Sequence, residues 1–102
     1  MAKPRPLSDA QIRKALPGLH GWRLSRGALR CEFRFESFQK AVQFVVRVAG
    51  LAEAANHHPD IDIRYCAVRL ALRTHDVGAV SDRDLSLARI IDGQSAARDF
   101  VE

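Results

Sequence analysis

The chain is poor in the residues that would announce several whole classes of protein. Its two cysteines, Cys31 and Cys66, lack CxxC spacing, which argues against a disulfide scaffold and against a cysteine-built zinc site. Two reduced thiols, largely buried, are expected instead. Long hydrophobic runs are also missing. The longest apolar stretch, "AVQFVVRVAGLAEAA", is interrupted by Arg47 and is too short to cross a bilayer. Nor is there a block of one charge: 16 Lys and Arg stand against 12 Asp and Glu, for a formal charge of +4, and the arginines are scattered. That pattern favours solubility and a general attraction for anions over a nucleic-acid-binding stripe. The opening "MAKPRPLSDA" has no apolar segment of the kind a secretory signal carries, so a cytoplasmic location is expected. Repeats and low-complexity tracts are absent as well.

What is present fits one globular unit. At 102 residues and 47% hydrophobic composition, the chain is long enough for one domain with a real core and too short for two. The sequence predicts a single domain over 1–102, with 1–6 and 94–102 as candidate loose ends.

Punctuation and period give the elements. Ser8 followed by Gln11 has the form of a capping box, and Ile12 and Leu16 share a face before Pro17 and Gly18 end the segment, so a short first helix is predicted. "GWRLS" and "ALRCEFRF", separated by "RG", predict a hairpin with Leu29, Cys31, Phe33 and Phe35 on its apolar side. Ser37 opens the longest helical pattern, with Phe38, Ala41, Val42, Val45, Val48, Ala49 and Ala52 at three- and four-residue steps. Pro59 disfavours helix at the residue before it, so this helix should finish at or before His57.

From Ile61 to Thr74 the period returns to two. Ile61, Ile63 and Tyr65 are out of phase with Val68, Leu70 and Leu72, so a bulge, bend or turn is required near Cys66 and Ala67. Gly78 marks a loop, Ser81 with Asp84 forms a second capping box, and Leu85, Leu87, Ala88 and Ile91 make the apolar side of a last helix. The predicted class is α+β, in the order αββαββα, a four-stranded antiparallel sheet with helices packed on one face. A sheet covered on one face leaves an edge and a second face to protect, so self-association is expected.

Three of the four histidines fall between residues 57 and 75. His57 is expected at the C-terminal end of the long helix, where unpaired carbonyls attract positive charge, with Glu53 four residues earlier on the same face. His58, extended by Pro59, should leave in another direction. His75 follows the last strand and can approach the helix end if the two elements are neighbours. Imidazole titrates near neutrality, so such a group suits proton transfer to one atom and from another. Solvated surface histidines are the plain alternative. A zinc site is the rival chemistry, but adjacent histidines that diverge chelate less naturally than a pair four residues apart on a helix.

The set Glu53, His57, His58, Pro59, Tyr65, His75 and Asp84, with the flanking "THDVG" and "SDRDLSLARIID", resembles the signature of the pterin-4a-carbinolamine dehydratase family, over a span from Leu7 to Asp92. The resemblance implies a hydro-lyase without metal or cofactor that converts 4a-hydroxytetrahydropterin to quinonoid dihydropterin and water. Such an enzyme recycles the pterin left by an aromatic amino-acid hydroxylase. It further implies His57, His58 and His75 as catalytic residues, with Asn56, His57, His58, Arg73, Thr74, His75 and Asp76 forming the pterin wall. Glu53, Tyr65, Arg83 and Asp84 would support the imidazoles. Tyr65 can equally be a core aromatic, and Asp84 only a capping-box carboxylate. A homodimer or homotetramer is implied too, without nucleic acid or membrane. The alternative is a non-catalytic dimerisation module of the coactivator kind. Three positions depart from the family's habit: Asn56, where an acid is common; Arg73, where a small hydroxylic residue is frequent; and Ile61, where Trp is frequent. They bear on substrate preference rather than on reaction type.

Overall fold

Ser8 starts the first helix, α1 (Asp9–Ala15), through both bonds of its capping box: its side chain accepts from the Gln11 N–H, and the Gln11 side chain accepts from its own. The computed structural model describes residues 4–93. Of the candidate loose ends, 1–3 and 94–102 lie outside the described residues. Arg5 and Pro6 are held: Arg5 N–H donates to Asp82 Oδ1, and Pro6 forms a bridge to Ser81.

A short 3-10 turn at Leu16–Gly18 leads to β1 (Arg23–Ser25) and β2 (Ala28–Arg34). Arg26 and Gly27 between them have φ of 49° and 76°, the positive pair whose twist matches a two-residue hairpin. The long helix α2 (Phe38–Ala55) follows, then β3 (Asp60–Arg64) and β4 (Ala67–Leu72). The phase change expected near Cys66 is a tight turn: Arg64 pairs with Ala67, and Tyr65 takes a φ of 54°. The last helix, α3 (Asp82–Asp92), starts from the second capping box, Ser81 with Asp84.

All strand pairs are antiparallel and the sheet order is β1-β2-β4-β3. Among the described residues, the single domain therefore has the predicted α+β class, three α-helices with a four-stranded antiparallel sheet. Leu29, Cys31 and Phe33 of β2 stand opposite Leu72, Leu70 and Val68 of β4 on the inner face, and all six are buried. Helix α2 lays Ala41, Phe44, Val48 and Ala52 on this surface. Phe44 is central, with ring centroids 4.7 Å from Phe33 and 5.0 Å from Phe35. The stripe differs from the sequence pattern at its edges, because Phe44 takes its centre while Phe38 and Ala49 remain exposed. Leu85, Leu87, Ala88 and Ile91 of α3 complete the core.

Among the described residues, no helix is long and apolar enough to cross a membrane.

Candidate functional site

Helix α2 ends at Asn56, which adopts the left-handed conformation, φ 49° and ψ 44°. The His57 N–H then reaches back to the Ala52 carbonyl at 3.0 Å and the Asn56 N–H to that of Glu53 at 3.1 Å. This Schellman-type close, with Asn tolerating the left-handed position, stops the helix before the restriction imposed by Pro59 applies. The chain reverses there, and the two following imidazoles part company.

His57 turns inward and is 9% exposed. Its Nε2 lies 2.5 Å from Oδ1 of Asp84, a side chain with no solvent exposure on the first turn of α3. The other Asp84 oxygen, Oδ2, accepts from the Ser81 N–H and from the Thr74 hydroxyl, both at 2.8 Å. One carboxylate thus closes the capping box with Oδ2 and meets the imidazole with Oδ1. The site at the end of α2 is thereby tied to the start of α3 and to the segment after β4.

His58 points outward. It meets the exposed Glu53 at 2.5 Å through Nε2. The sequence placed Glu53 beside His57, and the turn at Asn56 is why it instead pairs with His58: beyond that residue, helical spacing no longer describes which side chains face each other.

His75 is exposed and opens a 3-10 turn, His75–Val77, that ends on Gly78 with φ 63°. The loop is closed by the Thr74–Ala79 bridge and by Arg73, whose guanidinium donates to the Gly78 carbonyl at 2.8 Å. Asp76 is exposed on the same turn. Because Thr74 is bonded to Asp84, and Asp84 to His57, the base of the loop carrying His75 is anchored to the inward imidazole.

Beside His57, an open cleft of about 290 Å³ is lined by Ala55, Asn56, Asp82, Arg83, Ser86, Leu87 and Ile90. Asn56 and Arg83 line the same cleft as His57.

Besides Glu53, two more expected site residues are not placed as expected. Thr74 was assigned to the pterin wall, yet it is 3% exposed and its hydroxyl is bonded to Asp84 and Ser81. It faces the interior because it continues the alternation of β4, in which Leu70 and Leu72 also point inward. Tyr65 was assigned to the support of the imidazoles. It is 73% exposed in the β3–β4 turn, the end of the hairpin remote from Asp60, which puts about 16 Å of strand between it and the His57–His58 end. That position also rules out the core-aromatic alternative.

Ser81 is the participant that the sequence reading saw only as a helix cap. Its hydroxyl meets Thr74 Oγ1 at 2.5 Å and it has no solvent exposure. Ser81 spaced three residues before Asp84 is the available signal, but a capping box alone does not say what the acid's second oxygen contacts. Among the described residues, no group of three or more His, Cys, Asp and Glu side chains is disposed to hold a metal ion.

Comparison with known proteins places this geometry in a family context. Residues 5–94 match the family model described as pterin 4 alpha carbinolamine dehydratase. A relative from Mycolicibacterium vanbaalenii, provisionally named a pterin-4-alpha-carbinolamine dehydratase, is 49% identical over 87 residues, covering 85% of this chain and 94% of its own. One from Roseiflexus, with the same provisional name, is 51% identical over 86 residues, covering 84% and 92%. Among solved structures, a Brucella melitensis protein described as a transcriptional coactivator/pterin dehydratase superposes with a TM-score of 0.82 at 30% identity, covering 87% of this chain and 97% of its own. A pterin dehydratase-like protein described as a RuBisCO assembly factor of the alpha-carboxysome has a TM-score of 0.60 at 25% identity, covering 72% and 88%.

Proposed function

Because the chain belongs to the pterin 4 alpha carbinolamine dehydratase family, we propose that it is a hydro-lyase that removes water from 4a-hydroxytetrahydropterin by histidine acid-base catalysis. The reaction takes the proton from N5 and releases the 4a hydroxyl, which leaves as water once protonated, giving quinonoid dihydropterin. One group must accept a proton while another donates one. The observation that carries the reading is His57, nearly buried, backed by the Asp84 carboxylate and opening on a cleft. That arrangement fixes the ring and leaves its far nitrogen for substrate.

His57 and His75 form the acid and base pair, and His58, held by Glu53, orients the departing hydroxyl or acts as a second acid. Asn56, His57, His58, Arg73, His75 and Asp76 form the pterin wall, with Thr74 acting behind it through Asp84. Arg83 and Asp84 support His57. The protein works in the cytoplasm as a homodimer or homotetramer, and recycles pterin for an aromatic amino-acid hydroxylase.

The test is dehydration of freshly generated 4a-hydroxytetrahydropterin by the parent, His57→Ala and His75→Ala, with and without chelator. The parent should be fast and indifferent to chelator, and both variants slow. Variants as fast as the parent would remove the catalytic assignment. The descriptions of the two solved neighbours, a coactivator and an assembly factor, favour a second reading as an interaction module. Tight partner binding that survives both substitutions in a protein without dehydratase activity would establish it.

A further inference from the structure

We propose that Ser81 and Thr74 are positioning residues that set the tautomer of His57, fixing its proton on Nε2 and reserving Nδ1 as the atom that exchanges protons with the substrate. The argument is a count of hydrogens in a closed chain. Asp84 Oδ2 accepts from the Ser81 N–H and from the Thr74 hydroxyl. Thr74 has one hydroxyl hydrogen, and its bond to Asp84 uses it. Its contact with Ser81 Oγ therefore takes the hydrogen of Ser81. Ser81 Oγ in turn accepts from the Arg83 N–H at 3.2 Å. Every donor runs one way: Arg83 N–H to Ser81, Ser81 to Thr74, Thr74 to Asp84.

Asp84 thus receives donors on Oδ2, and the partner on its remaining oxygen is His57 Nε2. A carboxylate, which only accepts, matches that set when Nε2 carries a proton. The other arrangement, with a carboxylic acid donating from Oδ1 and the histidine proton on Nδ1, would place the donors Ser81 and Thr74 around a neutral acid at the N-terminus of α3, where an anion is better matched. The members are sealed in place: Ser81 and Asp84 have no exposure and Thr74 has 3%, so solvent does not stand in for a lost hydroxyl. Among the described residues His57 Nδ1 has no hydrogen-bond partner, which leaves that nitrogen for the cleft.

The tautomer does not depend on the dehydratase reading, although its catalytic consequence rests on it. The test therefore joins a spectroscopic arm to a kinetic one. In the full chain, nitrogen-15 NMR of the histidine side chains should find His57 protonated at Nε2, with Nδ1 unprotonated in the neutral ring. Thr74→Val, which keeps shape and removes the hydroxyl, should introduce the Nδ1–H tautomer, and Thr74→Ser should restore the parent spectrum. Ser81→Ala should act in the same direction, and Thr74→Val carries the test if loss of the cap unfolds α3. In the kinetic arm, Thr74→Val should lower kcat about tenfold with KM unchanged, and Thr74→Ser should recover it. A His57 proton on Nδ1 in the parent, or His57 signals and pH titration unaltered by Thr74→Val, would overturn the proposal. A parent that fails to dehydrate the pterin would remove the proposed function while the NMR result still decided the tautomer.

Discussion

The indole N–H of Trp22 donates to Oδ1 of Asp92 at 3.0 Å, joining the residue before β1 to the last turn of α3. The other oxygen of Asp92 accepts from the His20 N–H at 2.5 Å. One carboxylate therefore fastens both sides of the entry to the sheet.

Asp92→Ala leaves the Trp22 N–H, on a side chain 5% exposed, without its acceptor. A buried donor abandoned in this way costs about 1–3 kcal/mol. Trp22 is the sole tryptophan, so its fluorescence in a urea titration reads the loss directly. An unchanged midpoint would show that the clasp is a surface contact of no consequence.

The same carboxylate bears on Cys31. Burial, reinforced by the negative charge of Asp92, pushes this thiol up to about 12. The folded state binds its proton more tightly than the unfolded state, so stability falls as pH rises from about 9 towards 12. The thiolate is the reactive form, and Cys31 should resist iodoacetamide at pH 8 while the half-buried Cys66 reacts. Asp92→Ala should speed Cys31 modification. Equal labelling of both thiols in the folded parent would contradict the assignment.

Asn56 separates two jobs that the sequence could not. Its left-handed backbone calls for Gly or Asn, so Asn56→Ala should cost about 1 kcal/mol, whereas Asn56→Gly should match or exceed the parent in thermal unfolding. If Asn56→Gly retains kcat/KM for the pterin, the residue is a helix terminator alone. If stability holds while kcat/KM drops, the amide contacts substrate as well.

Local rules reached far along this chain and failed at particular places. Both capping boxes were legible because an N-cap and its third residue interact within four positions, and Ser8 with Gln11 and Ser81 with Asp84 form as expected. The inner faces of β2 and β4 were legible because strand period is two. The pairing of Glu53 with His58 was not, since a single left-handed residue redirects everything after it. Thr74, Ser81 and Asp84 come from two elements packed side by side, and no periodicity predicts which oxygen meets which hydroxyl. The central place of Phe44 is not legible in the sequence because many α2 positions are apolar, and which of them face the sheet depends on where the helix settles against Phe33 and Phe35.

Arg73 tests whether the loop bearing His75 contributes to binding or to chemistry. Its guanidinium donates to the Gly78 carbonyl, while the Thr74–Ala79 bridge closes the loop independently. Arg73→Ser should therefore change stability by less than about 0.5 kcal/mol, as an exposed substitution ordinarily does. A side chain on the pterin wall that contributes equally to the bound substrate and the transition state changes KM and spares kcat. The expected outcome is a KM shift of about fivefold, roughly 1 kcal/mol, that depends on the pterin's side chain, with kcat close to the parent's. A fall in kcat that matches the fall in kcat/KM would instead mean that the clamp holds His75 where the reaction needs it, and Arg73 would join Thr74 and Ser81 as a residue that acts through a neighbouring segment.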